Sequence, residues 1–294
     1  MQLLIDKGDF EIIAHPENAE AVIKKCGGTC YQSEQRTTKS PEEFVKMLRK
    51  RGHWSMFDHV SATVWFKNVS RGFTHEMVRH RPAAYAQEST RYVDPTEDPV
   101  TGEPGKVNLK VVGPPHKELD QKFYVTDLPF RQDAFDHRLE ERKDFLCDYN
   151  EYSFKDMAET IEQYYKVLRK QGGWAQEDAR QILPIGTKSD IIVTADFTEW
   201  RHIFRLRTQK AAHWEIRTVM CKVLEAFKHK FPTTFEDFIP AGVDKNGVTY
   251  YKIKGFVDDM NKFFDKFSKE FAGSNKSLQV QLSNSLKEYH NQNY

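Results

Sequence analysis

Two β-branched stretches, each followed closely by a helical pattern, constrain this chain more than any other feature. VSATVWFK (60–67) alternates small or polar with apolar side chains, the pattern of a half-buried strand. SRGFTHEMVRHR (70–81) then offers a Ser cap and apolar positions at 73, 77 and 78, and Pro82 ends it, so a helix is predicted there. KSDIIVTAD (188–196) is the second strand candidate, and FTEWRHIFRLR runs helically straight after it. Around these, residues 2–14 read as a short strand pair or extended segment, and 17–26 and 41–52 as helices, the latter with Pro41 in its first turn and Gly52 past its end. Helical patterns are predicted at roughly 132–147 and 151–171, and from KAAHW to about residue 230. Residues 93–116, with five prolines and three glycines, read as a long surface loop. NGVTYYKIKG looks like a hairpin and 255–290 like a polar helical tail. No internal repeat is visible, and the order of elements is that of an α+β protein.

Charge narrows the function classes. With 44 basic and 43 acidic side chains in 294 residues, no global basic field exists to bind nucleic acid non-specifically, so any anion site must be local. No run approaches the ~20 apolar residues of a membrane span, and the acidic N-terminal segment does not resemble a signal peptide. Four cysteines (26, 30, 147, 221) are too few for a disulfide scaffold in a chain of this length. These features predict a soluble, cytoplasmic protein without a membrane or nucleic-acid partner.

Local anion chemistry is concentrated in RHRPAAYAQESTRY (79–92). Cations at a helix C-terminus complement its dipole, which alone accounts for Arg79 and Arg81. It does not account for Gln87, Ser89, Thr90 and Arg91, which supply further donors just after a proline-broken turn, an arrangement suited to a phosphate or a polar heterocycle. In WRHIFRLR (200–207), Trp200, Ile203, Phe204 and Arg207 share one helical stripe. Two readings of Arg207 stay open: it snorkels to the surface at the helix end, or it is held in a pocket to meet an anion or a carbonyl. The histidines in GHWSMFDH, with His75 and His80, match no zinc spacing, and no metal is expected.

Arg79-His80-Arg81, then seven residues and Ser89, resembles the signature of flavin-dependent thymidylate synthases. GHWSMFDH (52–59), TCYQS (29–33), ARQILP (179–184), the strand ending VTAD and EWRHIFRLRTQKAAHWEIR (199–217) resemble other segments of that family in the same order. The resemblance covers about residues 1–238, leaving 239–294 as an extension of unknown role that carries no family motif and is expected to be dispensable for chemistry. It implies an α+β subunit with a small antiparallel sheet flanked by long helices, assembled as a homotetramer. It further implies methylation of dUMP to dTMP, with methylenetetrahydrofolate as carbon donor, FAD as cofactor and NADPH as reductant. Two alternatives stay open: a flavin oxidoreductase of the same fold acting on another pyrimidine nucleotide, and a nucleotide-binding protein without catalysis.

Carried over by position, the resemblance implies FAD contacts from Ser55, Arg79, His80, Arg81, Gln87, Asp196, Phe197, Thr198 and His202. Nucleotide contacts fall to Glu76, Met77, Val78, Arg79, Gln87, Glu88, Ser89, Thr90, Arg91, Arg180 and Arg207, with Arg207 and His53 as the catalytic pair. In the family, the arginine at position 207 favours the ionised N3 of the uracil. Two departures stand out. Glu76 replaces a common glutamine and Asp196 a common asparagine, and an ionised carboxylate only accepts hydrogen bonds, so each must meet a donor.

Overall fold

The computed structural model describes residues 1–30, 32, 38–125, 150–254, 256–272 and 275–293. They fall into two compact units, one of residues 1–7, 68–72 and 87–190, the other of residues 8–67, 73–86 and 191–294. The helix expected at 132–147 lies outside the described residues.

In the first unit the strand Gln2–Ile5 pairs in parallel with Lys110–Gly113, and Val111 bridges Thr187. The expected pairing within 2–14 is therefore corrected. Both strands exist, but their partners are remote in sequence, a choice that no local pattern encodes. Phe123–Val125 and Asn150–Tyr152 form an antiparallel pair. Ser153 then opens the helix Phe154–Lys170 with a reciprocal cap, its hydroxyl accepting from Asp156 N while Asp156 accepts from Ser153 N. The proline-rich stretch is more than a surface loop. Asp94 accepts from Thr96 N and Oγ1 and from Arg169 Nε at 2.6 Å, Val107 N bonds Thr96 O, and Leu109 and Val111 are fully buried. Proline and glycine marked its turns correctly but could not show that its ends are anchored.

The second unit holds most of a four-stranded sheet, ordered Asp9–Ala14, Ser61–Ser70, Lys188–Asp196, Ala83–Gln87. The first two strands are antiparallel, with Asp9 opposite Lys67. Alternation loads one face: Ala62, Val64 and Phe66 are buried on one central strand, and Ile191, Val193 and Ala195 on the next. The helix Phe197–Arg207 packs its stripe beneath, where Phe197, Trp200 and Phe204 join Phe227 and Phe235 in an aromatic core. Trp200 keeps its polar edge satisfied by donating to Ala62 O at 3.0 Å. Phe227 comes from the following helix, Trp214–Lys230.

The boundary expected at 238/239 falls inside a strand. Phe238–Val243 and Thr249–Ile253 form an antiparallel hairpin whose turn is closed by Asp244, which accepts from Asn246 N and Val248 N. This hairpin is stitched to the rest of its unit: Tyr251 N donates to Thr208 O at 2.9 Å, Cys221 Sγ contacts Thr249 O, and buried Arg217 pairs with Asp244. Beyond it the helical tail consists of Phe256–Ala272 and Lys276–Asn293, and Ser283 Oγ donates to Asp265. No helix among the described residues is long and apolar enough to cross a membrane.

Candidate active site

The helix Arg71–Met77 ends earlier than expected, and residues 78–81 form a turn rather than further helix. Tyr85 ties this bend down, its hydroxyl reaching Met77 O at 2.9 Å and His80 O at 2.5 Å. Within the same unit Arg207 turns toward the bend. It donates from Nη1 to Glu76 Oε2 at 2.7 Å, from Nη2 to Glu76 O at 2.9 Å, and from Nε to His80 Nε2 at 3.0 Å. The snorkelling reading of Arg207 is thereby set aside. Among the described residues three of the five guanidinium N–H groups are engaged, and two are left to donate elsewhere.

Both departures from the family pattern meet donors. Glu76 is paired by Arg207. Asp196 caps the helix Phe197–Arg207 by accepting from Glu199 N at 2.7 Å, a structural task that explains a carboxylate there. Phe197 and Met77 are core side chains, fully buried, so only their backbones can face a ligand.

His80 is 4 % exposed and neutral. Burial first, then the charge of Arg207, pushes its pKa down to about 4. Because this value is depressed, the contribution of His80 to stability is present above the ordinary value near 6.5 and is lost as pH falls through 4. The Arg207 N–H facing Nε2 leaves the ring proton on Nδ1, which lies 3.4 Å from Glu199 Oε1. Glu199 is held half-protonated near neutrality, its pKa raised to about 7 by burial and by the charge of Asp196. His202 stacks edge-on against His80 at 5.6 Å and accepts from Arg205 Nη2 at 3.2 Å. His80, Glu199 and His202 thus gather in one cluster, their donor atoms within 4.8 Å of one another. Within it Arg207 occupies Nε2 of His80, and Nδ1 faces the Glu199 carboxylate.

A groove of about 1010 Å³ opens in this unit, lined by Trp54, Thr198, His202 and Arg205 together with Lys50 and the hairpin residues Ile239, Ile253 and Lys254. Thr198 Oγ1 donates to Trp54 O at 3.2 Å, which places exposed His53 and Ser55, the neighbours of Trp54, beside the start of the helix. Lys50, Lys254, Arg79, Arg81 and Arg205 make no ion pair among the described residues. Lys50, Lys254 and Arg205 line the groove beside the carboxylates of Glu236 and Asp237, while Arg79 and Arg81 sit in the bend; free cations of this kind suit a pyrophosphate, and the residues present fit FAD on this count. The hairpin contribution was missed from sequence because nothing in NGVTYYKIKG signals where it docks.

The remaining residues assigned to the nucleotide lie in the first unit, and they are unequal. Arg180 Nη1 donates to Thr90 Oγ1 at 3.1 Å, Arg91 Nε to Glu177 at 3.0 Å, and Ser89 Oγ accepts from Arg91 N. Glu88 is committed to structure, accepting from Lys188 Nζ at 2.9 Å and Asp190 N at 3.0 Å. Gln87 is half-buried at the end of its strand, and Val78 is exposed in the bend.

The α+β fold thus carries a preset arginine and, in the same unit, a groove with cations on its rim that are unpaired among the described residues. Residues 11–233 match the family described as thymidylate synthase complementing protein. The chain is 29% identical over 233 residues to the flavin-dependent thymidylate synthase of Corynebacterium diphtheriae, covering 78% of this chain and 83% of that one. It is 31% identical over 247 residues to that of Mycobacterium tuberculosis, covering 80% and 88%. In fold it is similar to thymidylate synthase X of Helicobacter pylori, solved with FAD and dUMP (TM-score 0.54, 18% identity, 78% of this chain and 98% of that one). It is also similar to the UMP/dUMP methylase PolB of Streptomyces cacaoi, solved with 5-Br dUMP (TM-score 0.57, 21% identity, 80% and 96%). The chain belongs to the flavin-dependent thymidylate synthase family.

Proposed function

We propose that this protein methylates dUMP to dTMP, with methylenetetrahydrofolate as carbon donor, FAD as cofactor and NADPH as reductant. The observation that carries the reading is Arg207, fixed by Glu76 and His80 with two N–H groups unengaged among the described residues. Those groups suit a uracil carbonyl and the ring nitrogen beside it, and a fixed cation there favours the ionised ring, whose C5 is the better nucleophile. FAD, when bound, supplies the reducing equivalents that complete the methyl group. Arg79 and Arg81 offer charge to phosphates, while Thr198, His202, Ser55 and His53 are the residues proposed to face the flavin. Ser89, Thr90, Arg91 and Arg180 are the proposed nucleotide contacts of the first unit. A homotetramer is part of the proposal and rests on family membership.

The reading predicts saturable FAD binding at micromolar concentration, seen as a perturbed visible flavin spectrum, and weakened by at least about tenfold in Arg81→Ala, as loss of one or more charge-assisted bonds implies. A protein that leaves the flavin spectrum unchanged contradicts it, as does sedimentation of a fully active monomer for the assembly.

A further inference from the structure

Glu199 is the least expected member of the cluster. It is a carboxylate only 8 % exposed, and its Oε1 has no hydrogen-bond partner among the described residues. Its contact with His80 Nδ1, at 3.4 Å, is longer than a full hydrogen bond, and a neutral His80 makes it no ion pair. Such an orphaned acceptor is costly to bury unless something nearby uses it. The helix places it there: Glu199, Ile203 and Arg207 follow one another at intervals of four along the same stripe.

We propose that Glu199 is a positioning residue for the pyrimidine-binding arginine: it accepts from His80 Nδ1–H, fixes that tautomer and ring setting, and thereby holds the Arg207 guanidinium square to its substrate. The inference rests on the reading of Arg207 given above. Its logic is one of donors and acceptors. With Glu199 ionised, His80 keeps its proton on Nδ1 and offers Nε2 as an acceptor to Arg207. With Glu199 protonated, its O–H can donate to Nδ1 instead. The imidazole proton then moves to Nε2, where it meets the Arg207 N–H, donor against donor, and the guanidinium is displaced. The arrangement has two discrete states, with Arg207 set in only one of them.

The groups facing the pair are few. Asp196 and His202 belong to the helix of Glu199 and its cap, Tyr85 faces it from the strand Ala83–Gln87, and Arg207 faces His80. Burial and then the charge of Asp196 raise the Glu199 carboxyl, to about 7, so the two states exchange near neutral pH. For a carboxyl raised in the fold, the contribution to stability is present below the ordinary value of 4.5 and is lost as pH rises through 7. Removing the charge therefore relieves the fold on the alkaline side.

The test combines an activity profile with a readout independent of activity. In wild type, kcat/KM for dUMP should rise with pH through about 7. Glu199→Gln keeps an acceptor but cannot titrate, so it should retain activity within about threefold, lose that acid limb, and melt no lower than wild type at pH 8. Glu199→Leu should lower kcat/KM for dUMP about tenfold at all pH values with FAD affinity unchanged. Nitrogen-15 spectra of the imidazoles, with His80 assigned by its absence in His80→Gln, should show the Nδ1–H form of His80 at pH 8 and its loss at pH 5.5 or in Glu199→Leu. An Nε2–H form at pH 8, or an unchanged acid limb in Glu199→Gln, overturns the proposal. If wild type makes no dTMP yet the spectra behave as described, the proposed reaction fails while the positioning role survives.

Discussion

Arg207→Ala is expected to lower dTMP formation by on the order of a hundredfold while the chain still folds and still binds FAD. The two N–H groups free for the base are charge-assisted donors worth about 1.5–3 kcal/mol each, and about 3 kcal/mol lost in the transition state is about a hundredfold in rate. Stability should change little by comparison. Glu76, losing Arg207, is 30% exposed, still lies 3.9 Å from His213 Nδ1 and can be rehydrated, and His80 still lies 3.4 Å from Glu199. Arg207→Lys restores the charge but not the planar fork that serves Glu76, His80 and a ligand at once, so only partial rescue is expected. Thermal midpoint, flavin binding and product formation measured on the same preparations separate the outcomes. A collapsed midpoint with lost FAD would make Arg207 a structural residue, and normal methylation would remove it from the reaction.

The largest effect on stability is expected two turns earlier in the same helix. Arg201 is buried, with both terminal nitrogens on the Asp237 carboxylate at 2.8 and 2.7 Å, a further bond to Thr234 O, and its guanidinium over the Trp54 ring at 4.6 Å. Removing one partner of such a pair costs about 3–5 kcal/mol. Arg49 stays 3.6 Å from Asp237 and offsets part of this, so the lower end applies. Arg201→Met should cost about 3 kcal/mol and lower the thermal midpoint by about 10 °C, at roughly 2–4 °C per kcal/mol in a domain of this size. A midpoint within about 2 °C of wild type would show that Arg201 does not clamp the helix to residues 234–237. Because Trp54 and Asp237 also line the groove, weaker FAD binding should accompany the loss.

Much of this was legible along the chain, and the limits have physical causes. Strand and helix identity came from side-chain periodicity, which reports a face. Hence Lys188–Asp196 was read to the residue and the Trp200–Ile203–Phe204 stripe proved fully buried. Periodicity does not report a partner. Nothing near Gln2 says that it lies beside Lys110, and nothing in the hairpin says that Tyr251 will bond Thr208. The arginine at 207 was visible as a cation on an apolar stripe, but its fate depended on residues 127 and 131 positions away. Glu199 was passed over because glutamate in a helix usually faces water. The available signal was its place four residues before buried Ile203 and eight before Arg207. The capping duty of Asp196 was spelled by its position at the end of VTAD, directly before the helix.

The most direct test of the account is the product of one reaction: dUMP, NADPH and methylenetetrahydrofolate carrying a labelled methylene group, incubated with the purified protein with and without FAD. The account predicts labelled dTMP only when FAD is present. FAD bound and reduced by NADPH, with dUMP recovered unchanged, would contradict it.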